Sequence, residues 1–225
     1  MKDLLEGALY SVAMSRLQPI HSSTDALRQV DEFYMETSPV HRTLREVARR
    51  LSEKQIDYAI IGGMALALHG FVRPTDDVDL LLTKEGLEKF HSELVGLGYV
   101  PLFPGARKHF RDAETGVKVE VITTGEYPGD GKPKPVVFPA PRDVAVELAK
   151  FRVLRLESLI ELKLASGLTA EHRKLRDLAD VQQLIEILNL PPELSQRLDT
   201  SVRDEYLRLW ALAQKAREDD KESNE

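Results

Sequence analysis

Residues 58–83, YAIIGGMALALHGFVRPTDDVDLLLT, decide how the chain is read. The run Tyr58–Ile61 is apolar, rich in β-formers and too short for a helix, which fits a strand buried in a sheet. Gly62-Gly63 ends it, and Met64 to His69 is helical in composition, with Gly70 able to close that helix by a left-handed cap. Pro74 and Thr75 then lead into a second strand, DVDLLLT. A strand puts alternate side chains on one face, so Asp77 and Asp79 project the same way, about 6.6 Å apart along the backbone. That separation suits a shared Mg²⁺. Val78 between the acids and three leucines after them mark the strand as buried, so the two like charges at its entrance repel unless a cation or an open cleft accommodates them. Asp76 faces the opposite way and reads as a loop or capping acid.

Upstream, residues 3–17 and 24–36 carry apolar side chains at helical spacing (Leu4, Leu5, Ala8, Leu9, Val12; then Leu27, Val30, Phe33, Tyr34), with Ser23 or Thr24 as a cap for the second. Ser38-Pro39 opens a third helix that buries Leu44, Val47, Ala48 and Leu51 and leaves Arg42, Arg45, Arg49 and Arg50 on a solvated face. Downstream, Lys84 to Leu97 reads as a helix with Leu87, Phe90, Leu94 and Leu97 inward, stopped by Gly98. Tyr99 to Phe110 is turn-rich. Residues 116–123 form a strand with Val117, Val119 and Val121 on one face and Lys118 and Glu120 on the other. The proline-rich stretch from Thr124 to Pro141 predicts a loop or lid, with Tyr127 and Lys132 as candidates for gating an acceptor. Val144 to Leu156 has room for a strand or two, and the texture is helical from there to a charged tail.

Composition sets limits on function. The chain has 225 residues, no cysteine and a formal charge of −6. Disulfides, thiolate nucleophiles and cysteine-held zinc are excluded, so any metal must sit on oxygen or imidazole. An acidic surface disfavours extended nucleic-acid binding, although Arg107, Lys108 and Arg111 offer a local place for a phosphate. No apolar run approaches the roughly 20 residues that span a bilayer, and the acidic start MKDLLEG is unlike a secretory signal; the expectation is a cytoplasmic protein with no membrane partner.

Taken singly, each chemical feature has an ordinary explanation. A glycine pair at a strand-to-helix turn most often serves backbone geometry, though it also lets a phosphate approach helix N–H groups. Acids at a strand start are usually solvated. Asp77, Asp79 and Glu120 together, however, make a hard-oxygen set suited to Mg²⁺ rather than zinc. Lys163 lies on a helix that is apolar around it, and either snorkels to water or points into a cleft. Asp177 and Asp180 follow Arg173, Lys174 and Arg176, where surface i to i+4 pairs are the common outcome. Arg73, between the glycines and the acids, is placed to contact a phosphate. The six histidines do not cluster, and no Ser-His-Asp order emerges.

In combination the features carry more. Gly-Gly, a thirteen-residue gap, Asp-Val-Asp-Leu and a later Val-Glu-Val strand resemble the nucleotidyltransferase superfamily with its polymerase-beta-like palm. Gly70, Arg73 and Thr75, and the segment ELKLASGLTAEHRKLRDLADVQQLI, look like its bacterial branch of AbiEii-type toxin nucleotidyltransferases and uncharacterised relatives. The resemblance implies an α/β (α+β) nucleotidyltransferase fold with a small mixed sheet, N-terminal helices and a C-terminal helical region, divided as 1–40 extension, 41–155 core and 156–225 helical region. It implies that Gly62 and Gly63 cradle phosphates and that Asp77 and Asp79 hold Mg²⁺ or Mn²⁺. Glu120 takes the third carboxylate position, where the family more often has aspartate. Lys163 reaches the triphosphate, with Arg73, Asp177 and Asp180 also nucleotide-binding. The implied partners are an NTP (ATP, GTP or CTP), an acceptor among RNA (tRNA included), protein and small molecules, and a cognate toxin or antitoxin. The alternative is an inactive nucleotide-binding or antitoxin-like module of the same fold.

Overall fold

The computed structural model describes residues 37–222, with side chains to residue 217. The helices expected over 3–17 and 24–36 lie outside the described residues. The described chain begins at the third expected helix, here α1 (Pro39–Glu53), which starts where the Ser38 hydroxyl accepts from the His41 amide and Pro39 fills the first turn. Its apolar stripe, Leu44, Val47, Ala48 and Leu51, is buried.

After a turn come β1 (Tyr58–Ile61), α2 (Gly62–Leu68), β2 (Asp77–Leu82) and α3 (Lys84–Glu93). The sheet continues with β3 (Tyr99–Pro101), β4 (His109–Asp112) and β5 (Lys118–Thr123), and closes with a short helix α4 (Pro141–Val144) and the hairpin β6 (Ala145–Leu148) and β7 (Phe151–Leu154). The strands form one seven-stranded mixed sheet in the order β3-β4-β5-β2-β1-β7-β6. β2 lies at its centre, antiparallel to β1 and parallel to β5. That position explains the uninterrupted apolar run Leu80–Leu82, fully buried on both faces. Helices α5 (Leu156–Thr169), α6 (Glu171–Leu188) and α7 (Arg203–Glu222), with two 3₁₀ turns at Pro192–Arg197 and Thr200–Val202, make the C-terminal helical region.

Three readings of the local sequence are corrected. The helix after β2 ends at Glu93 rather than Leu97, and Leu97 is 64 % exposed rather than inward. Gly96 and Gly98 both adopt positive φ, and the Gly96 amide bonds the Tyr99 carbonyl, so the chain turns there instead of winding on. The turn-rich stretch from Tyr99 to Phe110 contains two strand segments, β3 and the start of β4, which exist because β4 pairs with β5 and β3 with β4. Arg50 leaves the solvated face expected for it, donating to the Leu97 carbonyl and lying 5.8 Å from the Tyr99 ring.

Candidate active site

The glycine pair and the acids meet because of strand register. In the antiparallel β1–β2 ladder Ile61 faces Asp79, so the next residue, Gly62, enters α2 directly above the Asp79 carboxyl. A Cβ at Gly62 would lie 1.8 Å from Asp79 Oδ2, and its φ of +64° is one that other residues adopt at a cost. Gly63 is equally confined, because a Cβ there would come within 2.9 Å of the Thr75 side chain. Gly62 is therefore required by close approach of the acid strand, and Gly63 is crowded by the loop just before it.

In the parallel β2–β5 ladder Asp79 pairs with Glu120, which places the third carboxylate on the neighbouring strand at the level of the second. Asp77 sits two residues earlier and accepts a hydrogen bond from the Thr75 hydroxyl at 2.6 Å. Burial, then Asp77, then Glu120 push the Asp79 carboxyl up to about 7, while Arg173 and Lys163 pull it down. The site is thus short of positive charge. Among the described residues no group of three or more His, Asp or Glu side chains forms a ready-made metal cage. The donor set nonetheless fits a hard divalent cation: adjacent carboxylates whose mutual repulsion, together with burial, keeps a proton on Asp79 up to neutral pH are what such a cation relieves. Glu120, its side chain 42 % exposed, also lies 3.8 Å from His109 Nδ1.

The remaining predicted residues form a second group. Lys163 does not snorkel to water: it is 8 % exposed and donates to Asp177 at 3.0 Å and Asp180 at 2.7 Å. Arg73 does not extend freely toward a ligand; it forks onto Asp180 at 2.8 and 3.0 Å. Asp177 and Asp180, nucleotide-binding by the resemblance and surface acids by the ordinary local reading, are each 3 % exposed. The i to i+4 partner of Asp177 is Arg173, at a looser 3.7 Å. Two of the three Lys163 N–H groups are thus committed to these bonds, leaving a third for another acceptor. Lys163 and Arg173 both act electrostatically on Asp79, so the two groups are neighbours.

Sequence reasoning gave no role to Thr75 or Arg173. Thr75 had a local signal, a hydroxyl two residues before an acid; the influence of Arg173 on Asp79 depends on how α6 packs. The basic trio Arg107, Lys108 and Arg111 is dispersed. Arg107 pairs with Glu88, Lys108 with Glu126, and Arg111 is buried and donates to the Gly116 carbonyl. The proline-rich stretch is strapped down rather than built as a free lid. Lys134 bonds the Pro128 carbonyl and the Thr169 hydroxyl, Gly129 packs against Ser166, and Val136 is buried.

The profile of a family described as uncharacterised nucleotidyltransferases matches residues 23–208. No curated protein matches the sequence. Among solved structures, a candidate nucleotidyltransferase from H. pylori is 17 % identical, with 77 % of this chain and 91 % of that one covered at a TM-score of 0.43. A candidate nucleotidyltransferase from Thermotoga maritima is 23 % identical over 66 % of this chain and 91 % of that one, at 0.38. The antibiotic-resistance factor ANT(2'')-Ia is 16 % identical over 76 % of this chain and 80 % of that one, also at 0.38. Likeness of this degree says nothing about substrate. Among the described residues no helix is long and apolar enough to cross a membrane.

Proposed function

The chain belongs to this nucleotidyltransferase family, and from that premise we propose that it moves a nucleoside monophosphate from an NTP to an acceptor, with Mg²⁺ or Mn²⁺ held by Asp77, Asp79 and Glu120. The observation that supports it most is the Asp79–Glu120 register pair under Gly62, with Asp79 raised to about 7 by burial and its acidic neighbours. A divalent ion bound there would neutralise those carboxylates and polarise the phosphates that face them. In the reaction an acceptor oxygen bonds to the α-phosphorus, the bond from that phosphorus to the bridging oxygen breaks, and pyrophosphate leaves with the electron pair.

The chain's own groups divide the work. Amides at the start of α2 cradle the phosphates without side-chain interference at Gly62 and Gly63. Lys163 keeps Asp177 and Asp180 and offers its remaining N–H to the leaving phosphates. Arg73 belongs to the same nucleotide-binding group through Asp180. Glu120, its side chain 42 % exposed, receives the acceptor's proton. The acceptor class (RNA, protein or small molecule) and membership of the toxin branch, with a cognate antitoxin, rest on the sequence resemblance.

The test is transfer of label from α-³²P-NTPs into total cell extract, comparing the wild type with the Asp77→Ala/Asp79→Ala protein. Loss of labelling in a folded double variant supports the reading. Undiminished labelling overturns it. Thermal shift with each NTP, with and without Mg²⁺, separates the enzyme from an inactive module: metal-dependent stabilisation by a triphosphate is expected of the former.

A further inference from the structure

Strand register sets three side chains in a row on one face of the sheet. His109 of β4 stands opposite Glu120 of β5, and Glu120 stands beside Asp79 of β2. Directly paired residues share a face and neighbouring strands lie about 4.8 Å apart, so a histidine is carried to about 10 Å from the central acid, beyond Glu120. Its Nδ1 lies 3.8 Å from Glu120 Oε2, a gap that a small turn of the carboxylate closes to a hydrogen bond. The histidine itself is well fixed. The Leu102 amide donates to the His109 carbonyl at 2.8 Å, and Phe103 stacks on the imidazole with centroids 6.1 Å apart and planes at 29°.

Taking Asp77, Asp79 and Glu120 as the metal site proposed above, we infer that His109 is a positioning residue, holding the Glu120 carboxylate toward the divalent ion those acids share. Glu120 needs such a hold. It has one more rotatable bond than the aspartate more usual at this position, and with its side chain 42 % exposed it is only partly restrained by packing. Among the described residues, His109 is its one ion-pair partner. A half-exposed pair adds little to the stability of the fold. Its effect on a metal is larger, because an outer partner that orients a ligand typically changes metal affinity by about 10–100-fold.

The test is Mn²⁺ alone, titrated into the full chain and followed by the electron paramagnetic resonance signal of the free ion, with a melting curve for every variant. His109→Ala is expected to weaken Mn²⁺ binding about tenfold. His109→Asn, whose amide nitrogen can stand where Nδ1 stands, should recover most of that loss. The His109→Ala/Glu120→Ala protein should bind no more weakly than Glu120→Ala, because the histidine acts through the glutamate. A folded His109→Ala protein that binds Mn²⁺ as wild type does overturns the inference, and so do losses that add in the double variant or an Asn variant as weak as Ala. If Asp77→Ala/Asp79→Ala abolishes binding while His109→Ala leaves it intact, only the role of His109 falls and the transfer reading stands. Binding untouched by loss of any of the three acids removes the metal site and the inference together.

Discussion

At the scale of single residues, Gly62 and Asp79 are a coupled pair. With a Cβ only 1.8 Å from Asp79 Oδ2 and a φ of +64°, Gly62→Ala must displace the carboxylate or the strand end. The expected result is loss of Mg²⁺- and triphosphate-dependent stabilisation in thermal shift, together with a lower Tm. Asp79 itself makes a pH prediction. Its folded pKa of about 7 lies above its ordinary value of 3.8, so its contribution to stability is fully present below about pH 4 and is lost as pH rises toward 7. Asp79→Asn removes that loss. The variant's stability advantage over wild type, measured without divalent ions, should grow between pH 4 and 7 to on the order of 2–4 kcal/mol and then level off. A constant difference across that range would exclude a raised carboxyl at this position.

At the scale of elements, the hairpin β6–β7 turns through Ala149 and Lys150, both left-handed at φ 49° and 69°. Two-residue hairpins favour this geometry because it matches strand twist, but they usually place Asn or Gly there. The Ala-Lys pair carries strain, and nothing in its sequence announces a tight turn. Lys150→Gly is expected to raise stability by about 0.5–1 kcal/mol by chemical denaturation, since the relief of a left-handed side chain outweighs the added freedom of the unfolded glycine. The same contrast between local signal and tertiary pairing explains the rest of the sheet. β2 and β5 announce themselves by apolar runs and clean alternation, whereas β3 and the start of β4 lie in turn-rich text and are strands only because β5 offers an edge to β4 and β4 offers one to β3.

At the scale of the whole molecule, the C-terminal helices are fastened to the sheet by a chain of charges from half-buried Arg73 through buried Asp180 and Lys163 to Asp177. The Arg73–Asp180 contact spans 107 residues of sequence and ties the loop before β2 to α6. Removing one member of a buried ion cluster strands the others, so Asp180→Ala is expected to cost about 3–5 kcal/mol. It should also open the loop around Arg73 to proteolysis. The activity of such a variant is interpretable only beside its melting curve, because the same carboxylate orders the loop and orients the lysine proposed for the phosphates.

By itself the sequence determined the strand, glycine pair, helix, loop and acid strand of residues 58–83, and the alternating strand that carries Glu120. Turn chemistry, caps and period-two burial are written within a few neighbouring residues. Tertiary structure alone decided that Glu120 stands beside Asp79, that Lys163 is held by two carboxylates, and that Arg73 clasps Asp180. Those outcomes depend on register and helix packing between segments far apart in the chain. The cost of burying a charge is met there only when a distant partner of opposite sign arrives at bonding distance.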